Sequence, residues 1–457
     1  MAAVIAAPAS GSGKTLLSLA LLSWARSCNR TIQAFKVGPD YLDPQLLSMA
    51  SGRPCRNLDL NLCGDAWVKG AFHSYGGSCE LSLVEGVMGL FDGIGSSSRG
   101  STAAVAHWLG LPVILVVDAG GQAASLGALV RGFRDHDPQL NLAGVVLNHV
   151  SSQRHQDLLA DVLDSMGMPL LGCLPRSDLL SLPSRHLGLA PAHELAHAKQ
   201  QCAAWASLAE EHLDLKNLAP LLKAPEPGPN PLGDRIANHS GELPVAVASD
   251  AAFHFRYAET AELLERNGMP IVGWSPLSDE PIPEQARGLI LPGGFPEQHA
   301  AQLSSCNRSL RSLRQFVAHR PVYAECGGML LLGQQLTDLQ GHRHAMAGVL
   351  PFTAQRGALQ VGYRQLQARR ESPVLARHQQ LMGHEFHRWE LTAKRPPSDG
   401  SVLWDIEGWN VQRRAEGWGD QTLHASWVHL HWASSSTICC RWRAALEAAA
   451  TPLPTDS

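Results

Sequence analysis

The beginning of the chain constrains its fold more than any other stretch. Ala2-Ala3-Val4-Ile5-Ala6-Ala7 is an unbroken apolar run, and a short run of this kind leading into a turn reads as a strand buried on both faces. It runs straight into Pro8-Ala9-Ser10-Gly11-Ser12-Gly13-Lys14-Thr15, after which residues 16–26 read as a helix. A strand that meets a helix through a Gly-rich turn lets successive backbone N–H groups converge on a phosphate. Lys then serves the terminal phosphates, and a hydroxyl serves a metal ion. Gly11, Ser12, Gly13, Lys14 and Thr15 meet that requirement, although the first Gly of the usual pattern is Pro8 here.

The same alternation continues downstream. Residues 31–37 form an apolar strand ending in Gly38-Pro39-Asp40-Tyr41-Leu42-Asp43-Pro44, and residues 81–84 form another, closing with Glu85-Gly86-Val87-Met88-Gly89-Leu90-Phe91-Asp92-Gly93. Residues 113–117 and 143–147, the latter followed by Asn148, repeat the pattern. Apolar strands alternating with helices predict a parallel α/β sheet covered on both faces, with ligands at the carboxyl ends of its strands. Glu85 directly follows a buried strand, where its charge needs a metal or a cation. Asp40, Asp43 and Asp92 are open either to that site or to capping turns.

At 457 residues the chain is long enough for two such domains. The Pro-rich stretch Ala224-Pro225-Glu226-Pro227-Gly228-Pro229-Asn230-Pro231 reads as an extended spacer. This divides the chain into a first domain over 1–222, a linker over 223–243 and a second domain over 244–440. Residues 245–248, 288–291 and 321–324 read as strands and 257–267 as a helix, so the second domain is also α/β. A net charge of −4 with 17% charged residues provides no basic field for nucleic acid or an anionic membrane. The partners expected are therefore small molecules, and nothing in the sequence excludes a homodimer. With no long apolar span and no signal-peptide pattern, the expected location is the cytoplasm. The ten Cys are scattered without a CxxC pair, so any important Cys acts alone.

One Cys stands out. Val322-Tyr323-Ala324-Glu325-Cys326-Gly327-Gly328-Met329-Leu330 is a strand, a Cys, two glycines and an apolar helix, the pattern of a nucleophile elbow. Leu291-Pro292-Gly293-Gly294-Phe295-Pro296 follows another strand and can aim backbone N–H groups at an oxyanion. In Ser426-Trp427-Val428-His429-Leu430-His431-Trp432 the alternation places His429 and His431 on one strand face. Either His could serve Cys326.

Taken together, these two halves resemble the cobyrinate a,c-diamide synthase family, glutamine-dependent amide ligases of the corrin pathway. The resemblance spans essentially the whole chain. It rests on residues 7–15, 35–44 and 84–93 quoted above, on Leu182-Pro183-Ser184-Arg185-His186-Leu187-Gly188-Leu189, and on His424-Ala425 with the segment 426–432. Pro8 is usual in this family. The resemblance implies an N-terminal phosphate-loop NTPase domain similar to dethiobiotin synthetase, binding ATP with Mg²⁺, and a C-terminal class I glutamine amidotransferase domain. It implies ATP, glutamine and a cobyrinate-type corrinoid as the small molecules bound. It also implies roles: Cys326 as nucleophile with His429 as base, Gly293 and Gly294 as oxyanion hole, and Thr15 and Glu85 near the metal. Asp40, Asp43 and Asp92 belong to the ligase site, and Asn148 sits where relatives read the adenine. Many amidotransferases carry a Glu two residues after the catalytic His. Here that position is His431, which implies a Cys–His dyad. The rival amidating enzymes are cobyric acid synthase and the nickel sirohydrochlorin diamide synthase. A non-amidating nucleotide switch of the partitioning type would carry a signature Lys where this chain has Ala9, and would lack the Cys326 domain.

Overall fold

The computed structural model describes residues 2–176, 184–185, 188–189, 198–233, 241–393 and 402–450. Two compact units, Met1–Gly233 and Asp234–Ser457, divide the chain. The Pro-rich stretch lies along the first unit. Ala224 N donates to Glu80 O and Gly228 N to His73 O, and residues 234–240 of the expected linker fall outside the described residues.

In the first unit seven strands form one sheet: β1 (Ala3–Ala6), β2 (Ile32–Val37), β3 (Arg56–Leu58), β4 (Leu81–Glu85), β5 (Val113–Asp118), β6 (Leu142–Val150) and β7 (Leu170–Pro175). Their order is β3-β2-β4-β1-β5-β6-β7, and every pairing is parallel. All of β1 and β2 is buried, as expected of strands covered on both faces. Among the described residues eight α-helices accompany the sheet: α1 (Lys14–Ser27), α2 (Asp43–Ser51), α3 (Asp65–Ala71), α4 (Thr102–Leu109), α5 (Ser125–His136), α6 (Gln153–Asp164), α7 (Ala198–His212) and α8 (Leu215–Leu221). Helix α1 packs on α2 and α7, and Leu17, Leu21, Trp24 and Trp205 join Ala3 and Ile5 in one core. Of the motif at 182–189, only the backbone of a small antiparallel ladder is described, β8 (Ser184–Arg185) with β9 (Gly188–Leu189).

The second unit opens with a parallel half: β10 (Val245–Ala248), β11 (Ile271–Trp274), β12 (Gly288–Leu291) and β13 (Val322–Glu325). Helices α9 (Ala258–Arg266), α10 (Ala300–Ser305), α11 (Asn307–Val317) and α12 (Gly327–Leu332) alternate with these strands. Successive residues of β12 and β13 face opposite sides. Leu289, Leu291, Val322 and Ala324 enter one core, while Ile290 and Tyr323 enter another that includes Trp404, Trp432 and Trp442, the period-two consequence of a pleated strand between two layers. Beyond β13 the sheet turns largely antiparallel through β14 (Gln335–Thr337), β15 (Arg343–Ala345), β16 (Phe352–Ala368), β17 (Gln380–Ala393), β18 (Val402–Gly408), β19 (Val411–Gly419), β20 (Leu423–Ser426) and β21 (Val428–His429). Strand β20 returns to lie parallel to β13, and α13 (Ser436–Ala450) closes the unit. The expected single strand over 426–432 is instead broken at Trp427. His429 ends β21, while His431 lies outside any strand and precedes a 3₁₀ turn, Trp432–Ser434.

A buried carboxylate makes that break. Glu416 on β19 accepts from Ser426 Oγ at 2.6 Å, Trp404 Nε1 at 2.6 Å and Trp427 N at 3.0 Å, and burial pushes its pKa up. Glu416 thereby pins the segment that delivers His429. Replacing it with Ala strands three buried donors, each costing about 1–3 kcal/mol. Urea unfolding followed by Trp fluorescence is expected to report a loss of about 3–5 kcal/mol, and an unchanged midpoint would mean the carboxylate holds nothing.

Candidate active sites

At the end of β1 the chain turns through Gly11 at φ 82° and Gly13 at φ 113°, a left-handed conformation that favours glycine. Gly13 caps α1, so the first free amides of that helix open into the loop. A side chain at Gly13 would collide with the Asn148 amide. Asn148, at the end of β6 and buried, donates Nδ2 to Ser12 O at 3.1 Å and braces the loop. Ser12 Oγ donates to Ala9 O at 3.0 Å. The Lys14 ammonium donates to Met88 O at 2.6 Å and Ala9 O at 3.3 Å. Burial and the neighbouring Lys36 charge lower its pKa to about 8.

The acidic residues gather beside this loop. Thr15 Oγ1 donates to Glu85 Oε1 at 3.1 Å. Glu85 is the last residue of β4 and 0% exposed, and its register partner on β2 is Lys36. Lys36 Nζ lies 2.8 Å from Glu85 Oε1, 2.6 Å from Asp43 Oδ2 and 3.9 Å from Asp40 Oδ2, and also donates to Gly86 O. Burial presses Asp43 upward, but the Lys36 charge together with hydrogen bonds from Lys36, Asp40 and Glu85 outweighs it and holds that carboxyl below its usual range. Glu85 is shifted up by burial, which Lys36 offsets only in part. Burial, with Asp43 adding to it, lifts Asp40 to about 7. Asp92 is exposed, accepts from Gly89 N at 2.8 Å, and adds its charge near Lys14. Every expected residue of this half thus gathers at the carboxyl ends of β1, β2, β4 and β6. Lys36 was missed by sequence reasoning, although the signal was there: a Lys in a strand buried on both faces requires carboxylate partners.

Among the described residues no group of three or more His, Cys, Asp or Glu side chains could hold a metal ion. The donors beside the loop, one hydroxyl and one carboxylate, suit a hard cation that arrives with nucleotide and keeps most of its waters.

In the second unit Cys326 sits between β13 and α12 at φ 48° and ψ −111°, a strained turn for a residue bearing a side chain. The turn is held because Cys326 N donates to Ser426 O at 2.7 Å and because Gly328 packs against Leu291 O, where any Cβ would clash. Sγ lies 3.6 Å from Phe386 O on β17. The Gly293-Gly294 backbone borders the elbow: a Cβ on Gly327 would stand 3.0 Å from Gly294 N, and one on Gly293 would meet the His429 ring. His429 is fully buried and interacts with both Cys326 and Glu325. Burial opposes its charge, yet Glu325 and Cys326 outweigh burial and push its pKa up to about 10. His431 turns elsewhere. Its Nε2 is 3.7 Å from Glu259 Oε2 and its ring is 4.4 Å from that of Tyr257. His384, opposite His429 in the β17–β21 pairing, is kept neutral by burial and by the nearby His429, with a pKa of about 3.

Two family models account for most of the chain. Residues 3–189 match the CobQ/CobB/MinD/ParA nucleotide binding domain, and residues 244–437 match the CobB/CobQ-like glutamine amidotransferase domain. A cobyrinate a,c-diamide synthase of Synechocystis sp. is 39% identical over 454 residues, spanning 97% of this chain and 93% of that one. The chain belongs to the cobyrinate a,c-diamide synthase family. The family member of Gloeobacter violaceus is 40% identical over 445 residues, covering 97% and 96% of the two chains. A hydrogenobyrinate a,c-diamide synthase of Streptomyces coelicolor is 38% identical over 477 residues, covering 96% of each.

The Lys36 cluster generates a stability test. Lys36→Met leaves buried Glu85 and partly buried Asp43 without their cation, and breaking a buried pair by removing one partner costs about 3–5 kcal/mol. Asp43, whose pKa is depressed in the folded state, contributes stability above its unfolded pKa that is lost as pH falls through the folded value. The deficit of the variant measured by urea unfolding is therefore expected to be full at neutral pH and to shrink below about pH 4. A deficit independent of pH would contradict this account.

Proposed function

We propose that this chain amidates the a and c carboxylates of a cobyrinate-type corrin, using ammonia from glutamine and one ATP for each amide. The observation that carries this reading is the pairing, in one chain of this family, of a phosphate loop ringed by acidic residues with a Cys–His elbow. Ammonia and a carboxylate do not condense unaided. One site must release ammonia and the other must activate the carboxylate.

At the elbow, Cys326 Sγ, its proton already taken by the His429 imidazole, would attack the side-chain carbonyl of glutamine as a thiolate, and His429 would pass that proton to the departing ammonia. The amides of Gly293 and Gly294 would receive the developing oxyanion. Water then releases glutamate from the thioester. At the phosphate loop, a corrin carboxylate oxygen would attack the γ-phosphorus of ATP and expel ADP. Ammonia would attack the resulting acyl phosphate and expel phosphate. Lys14 would stabilise the charge on the transferring group. Thr15 and Glu85 would hold Mg²⁺, whose contribution is to neutralise charge on the β- and γ-phosphates. Asp40, Asp43 and Asp92 would serve substrate or metal at the same strand ends, and Asn148 would read the adenine from beside Gly13. The cytoplasm, where ATP and glutamine are held, is the compartment this reading implies. No helix among the described residues is long and apolar enough to cross a membrane.

Incubation with cobyrinate or its cobalt-free counterpart, ATP, Mg²⁺ and glutamine, with the product identified by mass, tests the reading directly. Glutamine hydrolysis without amidation of either ring would overturn it. Cys326→Ala should abolish glutamine use and retain synthesis from ammonium salts, and equal loss with both nitrogen sources would sink the two-site scheme. Lys14→Ala should remove synthesis from either source while glutaminase activity survives. His429→Asn should cost about 10²–10⁴-fold in glutamine-dependent rate, the range for a lost general base. His431→Asn, aimed at Glu259, should cost clearly less, and the reverse order would exchange the two assignments.

A further inference from the structure

The imidazole that serves Cys326 needs an orienting acid, and the position two residues after His429 offers only His431, which faces Glu259. Another carboxylate occupies that role in space. Glu325, the residue before the nucleophile, places Oε1 3.4 Å from His429 Nδ1. Its Oε2 accepts from Tyr323 Oη at 2.7 Å and faces Leu430 N at 3.4 Å. Glu325 is 7% exposed and His429 0%, so their interaction is little screened by solvent. Tyr323 and Glu325 lie two apart on β13 and therefore share a face. Tyr323 is itself fixed by ring contacts with His424 at 4.8 Å and Trp432 at 5.2 Å. The groups facing His429 are thus Glu325 and Cys326 from the elbow and neutral His384 from β17.

We propose that Glu325 is the positioning acid of a Cys326–His429–Glu325 triad, with Tyr323 holding its second oxygen, so that the third member comes from the nucleophile's own strand. The inference rests on the reading of Cys326 and His429 as the glutaminase pair. With Nδ1–H directed at Glu325, Nε2 is the nitrogen left to exchange a proton with the thiol, and Glu325 orients and stabilises the imidazolium. The strand end explains the choice of residue. Side chains alternate along β13, so the one before Cys326 points to the layer from which His429 arrives on β21.

The full-length Glu325→Gln variant tests this, since the amide keeps the shape of the side chain and a carbonyl oxygen able to face Tyr323. Three quantities are read: glutamine-dependent rate, ammonium-dependent rate, and the pH profile of iodoacetamide alkylation at the Cys326 peptide by mass spectrometry. The glutamine-dependent kcat is expected to fall by about 10²–10⁴-fold, as when the acid of a Ser-His-Asp triad becomes an amide, with KM for glutamine changing far less. Alkylation should move to higher pH, because the imidazolium that supports the thiolate is no longer favoured, and Glu325→Asp should recover part of both. Tyr323→Phe, which removes a single hydroxyl, should shift the same profile in the same direction by less. Adding it to Glu325→Gln should bring little further loss, the sign of one shared network. A Glu325→Gln enzyme with unchanged glutamine-dependent rate and alkylation profile overturns the triad, as does equal loss with glutamine and with ammonium. If Glu325→Gln does not fold, an unshifted profile in Tyr323→Phe overturns it as well. The underlying reading fails separately, by persistence of glutamine use in Cys326→Ala.

Discussion

A carboxylate at the carboxyl end of a buried parallel strand cannot remain ionised alone, and both halves of this chain are arranged around that constraint. Glu85 ends β4 and Glu325 ends β13, and both are buried. Each is matched by a partner brought from another strand, and the partner decides what the site can do. Lys36 on β2 gives Glu85 a permanent cation, so the first site is built for fixed electrostatics around phosphate and carboxylate. His429 on β21 gives Glu325 a titratable ring, a partner whose charge, unlike that of Lys36, can change near neutral pH in an unperturbed imidazole.

Close backbone approach is the other shared device. The phosphate loop tolerates no Cβ at Gly13 because Asn148 braces it from β6, and the elbow tolerates none at Gly328 because Leu291 O stands there. Strain at Cys326 persists because its own amide is tied to Ser426 on β20, and Ser426 in turn donates to Glu416 on β19. The antiparallel strands therefore do more than enlarge the second sheet. They supply Glu416, Phe386 O and the segment that carries His429, and so they hold the geometry of Cys326 just past the end of a parallel strand.

Chemistry that depends on contiguous residues was legible in the sequence. The run 2–15 joins strand, glycines, Lys and Thr within a few residues, and 322–330 does the same for strand, Cys and glycines, so local sterics leave few alternatives. Most of the parallel strands were legible for the same reason, since burial on both faces makes them uninterrupted apolar runs, whereas β3 is only three residues long and β7 and β11 are only partly buried, and these three went unread. Strands β14 to β19 were not, because an antiparallel strand with one solvated face carries mixed residues that resemble loop or helix surface. The strand break at Trp427 was also invisible, since the group that causes it, Glu416, is distant in sequence.

By itself, then, the sequence determined the two α/β halves, the phosphate loop and the turn that carries Cys326, each from short-range pattern, while Asp40, Asp43 and Asp92 stayed open between the site and capping turns. Only the tertiary structure decided the pairings. That Lys36 neutralises Glu85 follows from β2 lying beside β4 in register. That His429 and not His431 reaches Cys326 follows from β21 ending at residue 429. That Glu325 is the acid His429 meets follows from β20 lying parallel to β13. Strand order and register carry these contacts, and both are set by the packing of whole layers, which no local window of residues contains.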